Sequence, residues 1–128
     1  MAAILDTSIL IAGWRPQEDE EFAISVCSIA ELHFGVLRAV EPEARALRLQ
    51  RVAAIEGAFD PLPVDDAVAR TYAECADAIV RTGRNPTPRS FDLLIAATAR
   101  VHQALLYTLN PDDFRGLESL VDVRLPLP

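Results

Sequence analysis

Ala2-Ala3-Ile4-Leu5-Asp6-Thr7-Ser8 is the stretch whose reading decides the fold. Four apolar residues in a row, without alternation, read as a short strand buried on both faces, as in parallel sheets covered by helices. The strand ends on Asp6. An ionised carboxylate beside an apolar run is costly unless a cation, a hydrogen-bond network or water compensates it. The same anomaly recurs in Cys27-Ser28-Ile29-Ala30-Glu31-Leu32 and in Ser90-Phe91-Asp92-Leu93-Leu94-Ile95-Ala96-Ala97. Three acids, each at the edge of an apolar element, point to a shared site for a hard divalent metal.

Outward from that strand, strands and helices alternate nearly throughout. A short helix is predicted over Ser8–Trp14, stopped by Gly13 and Pro16, followed by a charged loop at Gln17–Glu21 and a second strand at Phe22–Cys27. Ser28 reads as the N-cap of the next helix, with Glu31 at capping-box spacing and Ile29, Leu32, Val36 and Leu37 as its core face. Pro42, between Glu41 and Glu43, opens a helix to Gly57. Its Arg45, Arg48 and Arg51, interleaved with Leu47, Leu49 and Val52, fit one packed side and one solvated or partner-facing side. A third strand at Ala58–Val64 precedes a helix capped by Asp65 and ending at Gly83. An apolar helix over Arg89–His102, a strand at Ala104–Leu109, a turn-rich Asn110–Gly116 and a last strand at Val121–Leu125 complete the series. The pattern predicts one α/β domain over residues 1–128, a central parallel sheet of four to five strands with helices on both faces.

At 128 residues the chain is long enough for one sizeable core. No run approaches the roughly 18 apolar residues of a membrane span, and no basic segment precedes Asp6, so neither a membrane anchor nor a secretory signal is expected. Cys27 and Cys75 stand apart in apolar contexts and read as reduced buried thiols, which fits a cytoplasmic protein. The net charge of −7 argues against broad attraction to nucleic acid or anionic membrane, and leaves room for a local site. Every basic residue is arginine. The absence of lysine excludes P-loop nucleotide binding, Schiff-base chemistry and a phospho-acceptor receiver site. His33 and His102 have no complementary nucleophile, so triad catalysis has no support.

In parallel α/β sheets ligands bind beyond the carboxyl ends of the strands. Asp6 ends the first strand, Glu31 lies one turn into the helix after the second, and Asp92 one turn into the helix before the fourth. Asn110, Asp112 and Asp113 follow that strand. These groups converge if the first, second and fourth strands are neighbours. Magnesium or manganese needs oxygen ligands, often only one or two carboxylates beside its waters, and would polarise water for attack on a phosphodiester. Each acid also has a purely structural reading. Asp6 can be a helix N-cap, Glu31 the capping-box partner of Ser28, and Asp92 a first-turn acid favoured by the helix dipole. Asp112 and Asp113 can be loop residues capping Phe114–Leu117.

Together, Ile4-Leu5-Asp6-Thr7-Ser8, Ser28-Ile29-Ala30-Glu31-Leu32-His33-Phe34-Gly35-Val36-Leu37, Asp92-Leu93-Leu94-Ile95-Ala96-Ala97-Thr98-Ala99 and Tyr107-Thr108-Leu109-Asn110-Pro111-Asp112-Asp113-Phe114 resemble the PIN-domain nucleases. The VapC toxins of bacterial toxin–antitoxin pairs are the nearest match, in order and over essentially the whole chain. The resemblance implies a Mg²⁺- or Mn²⁺-dependent endoribonuclease, the toxin of a type II pair, held inactive by a cognate antitoxin and usually a homodimer. Carried over, Asp6, Glu31, Asp92 and Asp113 are the catalytic acids, and Thr7 or Ser8 supplies a supporting hydroxyl. Asn110 stands where many PIN domains have aspartate, so metal binding depends more on Asp113 or Asp112. The link from Asp6 to Glu31 is shorter than usual in the family, which implies a missing small helix. Arg15, Arg84, Arg89 and Arg115 are candidates to hold RNA phosphates, or else ordinary solvated arginines. Trp14 can stack a base, cover the antitoxin groove or simply pack. A second reading of the whole chain is a catalytically weak PIN-like binding module acting through a protein partner. An aspartate-nucleophile phosphatase using Asp6 is disfavoured, because Ser8 occupies the place of its second acid and no lysine is present.

Overall fold

A computed structural model of the chain describes residues 2–14 and 21–126. Arg15 and most of the charged loop lie outside the described residues. β1 (Ala3–Leu5) is flanked by β2 (Phe22–Ala23) and β3 (Leu105–Tyr107), and β3 pairs with β4 (Val123–Arg124). All pairings are parallel and the order is β2-β1-β3-β4. The first, second and fourth expected strands are therefore neighbours, with β1 at the centre.

Alternation along β1 divides the core. Ile4 points into one apolar cluster with residues of α4 (Asp66–Arg81) and α5 (Ser90–Val101). Leu5 points into the other, with residues of α1 (Thr7–Ala12), α2 (Val26–Arg38) and α3 (Pro42–Ala58). Both β1 faces are covered, which is why its sequence is continuously apolar. The architecture is α/β, with a four-stranded parallel sheet and five helices among the described residues. No helix there is long and apolar enough to cross a membrane.

Several boundaries differ from the sequence reading, each for a local reason. The expected Phe22–Cys27 strand is cut to Phe22–Ala23, because Ser25 rather than Ser28 caps α2: the Ser25 hydroxyl accepts from the Cys27 N–H at 3.0 Å. Ser28 is thereby drawn into the helix, and no capping box with Glu31 forms. The expected strand at Ala58–Val64 is a single bridge between Ser25 and Leu62. Leu62 exchanges two backbone hydrogen bonds with the Ile24–Val26 segment. Pro61 and Pro63 lack the N–H groups that a longer ladder requires.

Asp65 caps α4 as expected, accepting from the Val68 N–H at 2.9 Å. The Arg89–His102 helix becomes a 3₁₀ turn at Thr87–Arg89 followed by α5. Leu32 and Val36 face the core, whereas Leu37, expected beside them, is 61% exposed, and Leu47 and Leu49 on α3 are also exposed. Trp14 packs edge-on to Phe22 and tilted against Tyr107, with ring centroids 5.9 Å apart in each case. That is its packing reading. His33 pairs with Glu56 at 2.6 Å across α2 and α3, a structural tie between two helices.

Candidate active site

Parallel pairing places the residues following β1 and β3 side by side. Leu5 is in register with Tyr107, so Asp6 and Thr108 come next to one another. The Asp6 N–H donates to the Tyr107 carbonyl at 2.9 Å. Asp6 is 5% exposed, yet its carboxylate is well supplied with donors. Thr108 Oγ1 donates to Asp6 Oδ2 at 2.8 Å and Ser8 Oγ at 2.9 Å. Both hydroxyls are held in turn, since the Leu109 N–H donates to Ser8 and the Asn110 N–H to Thr108. Asp6 begins α1 without a side-chain cap bond, so its carboxylate is not used as an N-cap. Both hydroxyl donors land on Oδ2, which leaves Oδ1 for a ligand.

A second hydroxyl chain serves Glu31. Thr7 Oγ1 donates to Glu31 Oε1 at 2.6 Å, and Ser28 lies 2.9 Å from the same Thr7 oxygen. Thr7 has one proton to give, so Ser28 is the donor in the second bond. Ser28 and Glu31 share a face of α2 because they are three residues apart. Thr7 and Ser8, the two candidates for one supporting hydroxyl, thus serve different acids. Glu31 is nonetheless held above its ordinary value, first by burial and then by the charge of Asp6, against the Thr7 hydrogen bond.

Asp92 stands in the first turn of α5 and is the most perturbed acid. It is pushed up to about 7, first by burial, then by the charges of Asp6, Asp113 and Glu31, with Arg89 pulling the other way. The carboxylates thus feel one another across four separate chain segments. Asp113 lies in the 3₁₀ turn Pro111–Phe114, anchored by Phe114, which is 2% exposed in the core beneath. Arg89 Nη1 donates to Asp113 Oδ1 at 2.8 Å and sits 3.9 Å from Asp92 Oδ2. A cleft of about 270 Å³ opens here, lined by Glu31, Asp92 and the Thr87–Phe91 turn.

Asn110 and Asp112 are exposed beside this group, and the charge of Asp112 acts on Arg89. Arg84 and Arg115 do not join the acids. The Arg84 guanidinium donates to the Arg115 carbonyl and lies beside Thr82, stapling two loops together. Gly116 makes the approach possible: at φ 103° a Cβ would meet Ile79 and Thr82 side chains at 3.2 Å. Arg89 is therefore the one of the four candidate arginines that the described residues bring to the carboxylates.

The sequence reading gives Thr108 no role at the site and gives Ser28 only that of an N-cap paired with Glu31. Thr108 had one available signal, a hydroxyl directly after an apolar strand, in the position Asp6 holds after its own. Thr108→Val should leave the Asn110 N–H and Asp6 short of a partner and lower stability by about 1–3 kcal/mol. A urea melt with an unchanged midpoint would contradict that role.

The donor set around the cleft is oxygen-only, carboxylates with supporting hydroxyls, which suits a hard divalent ion and not zinc. Among the described residues no three acids are close enough to hold an ion by protein atoms alone. Magnesium commonly needs just one or two carboxylates, with water completing its shell.

The PIN domain family profile matches residues 3–119. Ribonuclease VapC5 of Mycobacterium tuberculosis is 36% identical over 97% of this chain and 93% of its own length. Ribonuclease VapC8 of the same organism is 39% identical over 77% of this chain and 90% of its own. The solved structure of VapBC-5 from Mycobacterium tuberculosis, a member of the VapBC family of toxin–antitoxin systems, superposes with a TM-score of 0.78. That match covers 98% of both chains at 34% identity. With the family profile, the sequence relatives and the superposed structure in agreement, this chain belongs to the PIN-domain family, in its VapC branch.

Proposed function

We propose that the protein is a Mg²⁺- or Mn²⁺-dependent endoribonuclease, the toxin of a type II toxin–antitoxin pair. The observation that carries this reading is the crowding at Asp92. A half-buried carboxylate raised to about 7, first by burial and then by three like-charged neighbours, is a ready-made demand for a cation. Asp6, Glu31, Asp92 and Asp113 would hold it, directly or through water, with Asn110 and Asp112 at the rim. The bound ion supplies Lewis-acid activation of water and charge neutralisation at the phosphoryl oxygens. Hydroxyls from Ser8 and Thr108 orient Asp6, and Thr7 orients Glu31, so both acids present fixed lone pairs. Neutralising its neighbours removes the repulsions that raise Asp92, so loading should release protons near neutral pH. Water attack leaves a 5′-phosphate and a 3′-hydroxyl.

The relatives named ribonucleases support RNA as substrate, and the VapBC structure supports a cognate antitoxin as partner. A homodimer in the cytoplasm completes the proposal. In the test, purified protein is given single-stranded RNA with Mn²⁺, with EDTA, and with Mn²⁺ after Asp6→Asn. Cleavage only in the first condition is expected. Equal cleavage in EDTA, or by the variant, overturns the mechanism. Absence of saturable Mn²⁺ binding would instead favour the binding-module reading, for which the open acid spacing and Asn110 speak.

A further inference from the structure

Arg89 occupies an unusual position for a surface arginine. It ends the Thr87–Arg89 turn at the start of α5, lines the cleft, and directs one nitrogen at two of the proposed ligand acids. Nη1 alone makes the contacts: Asp113 Oδ1 at 2.8 Å, the Asp113 carbonyl at 3.5 Å and Asp92 Oδ2 at 3.9 Å. The guanidinium fork is therefore not engaged bidentately. The pair is also partly solvated, with Arg89 34% and Asp113 38% exposed at the side chain. Single-nitrogen, solvent-bathed ion pairs are weak and screened by salt, so a divalent ion displaces them readily.

We propose that Arg89 is a tethered cation that competes with the divalent ion for Asp113 and, once displaced, binds the RNA backbone. The inference rests on the nuclease reading above. A divalent ion on Asp113 would lie beside the Arg89 guanidinium and repel it, and a guanidinium released at the mouth of an acid-lined cleft is the group best shaped to take a phosphate. Metal uptake then switches on a backbone contact, so ion and RNA bind with positive coupling. Arg89 is a positioning and binding residue in this scheme and takes no part in bond breaking.

Two binding measurements test it. Mn²⁺ affinity, read from the free-ion electron paramagnetic resonance signal without RNA, should tighten about threefold to fivefold in Arg89→Gln. It should stay near wild type in Arg89→Lys, which retains the competing charge. RNA affinity is read by anisotropy of a labelled single-stranded oligonucleotide in Ca²⁺, an oxygen-seeking ion with looser geometry than Mg²⁺. In Ca²⁺, the slope of log affinity against log salt should fall by about 0.7 in Arg89→Gln, one phosphate contact on a single strand. In EDTA the two proteins should share one slope. An unchanged or weakened Mn²⁺ affinity in Arg89→Gln overturns the competition. A salt slope lost equally with and without metal overturns the switch. Failure of the wild-type protein to bind Mn²⁺ saturably overturns the nuclease reading itself, which keeps the two failures apart.

Discussion

Replacing Asp92 by asparagine is expected to cut RNA hydrolysis by about a hundredfold or more, while making the protein in EDTA harder to unfold. The two effects have one cause. In the folded protein Asp92 titrates at about 7 against an ordinary 3.8. Between those values the native state keeps a proton that the unfolded chain has lost, so stability falls as pH rises through that window. Above about pH 7 the full penalty applies, on the order of 2–4 kcal/mol after allowance for a partly exposed side chain. Asparagine keeps the shape and never carries the charge. Its melting temperature in EDTA should exceed that of the wild type by several degrees near pH 8, and the two should converge toward about pH 4. Excess Mn²⁺ should stabilise the wild type more than the variant. A less stable variant in EDTA at high pH would refute the crowding argument, and near-normal cleavage would remove Asp92 from the chemistry.

The second large effect lies beneath the site. Phe114→Ala should cost about 3–5 kcal/mol, a third or more of the total for a domain of ordinary stability. Phe114 is 2% exposed and holds the Pro111–Phe114 turn against the core that α5 also faces. The loss should appear as a lower urea midpoint with an unchanged slope. Because Asp113 precedes it, the variant should also lose activity at temperatures where it is still folded. Phe114→Leu, which keeps most of the volume, should cost less than about 1.5 kcal/mol and restore cleavage. If alanine is tolerated at both levels, the turn is not anchored as described.

The acids were legible in the sequence because burial makes a charge conspicuous. Asp6, Glu31 and Asp92 interrupt runs that otherwise read as core, and no pairing need be known to see that. The central strand was legible for the same reason, as an apolar run without alternation. What escaped was long-range. Thr108 meets Asp6 only through the register of two strands more than a hundred positions apart, which no local pattern encodes. Arg89 meets Asp113 across the whole of α5 and β3. The N-cap of α2 was misplaced by one turn because Ser25 and Ser28 are equivalent locally, and the bridge to Leu62 decides between them. The expected Ala58–Val64 strand shrinks to a bridge because Pro61 and Pro63 within it remove ladder donors.

The bond between Thr108 and Asp6 also sets a timetable for synthesis. The two residues are 102 positions apart, and β1 finds β3 only after most of the chain has been made. At ordinary translation speeds that interval is roughly 5–20 s. Until then Asp6 has neither its principal hydroxyl donor nor the turn that carries Asp113. A nascent chain therefore completes its acid cluster late, and the candidate site is among the last parts of the molecule to come together.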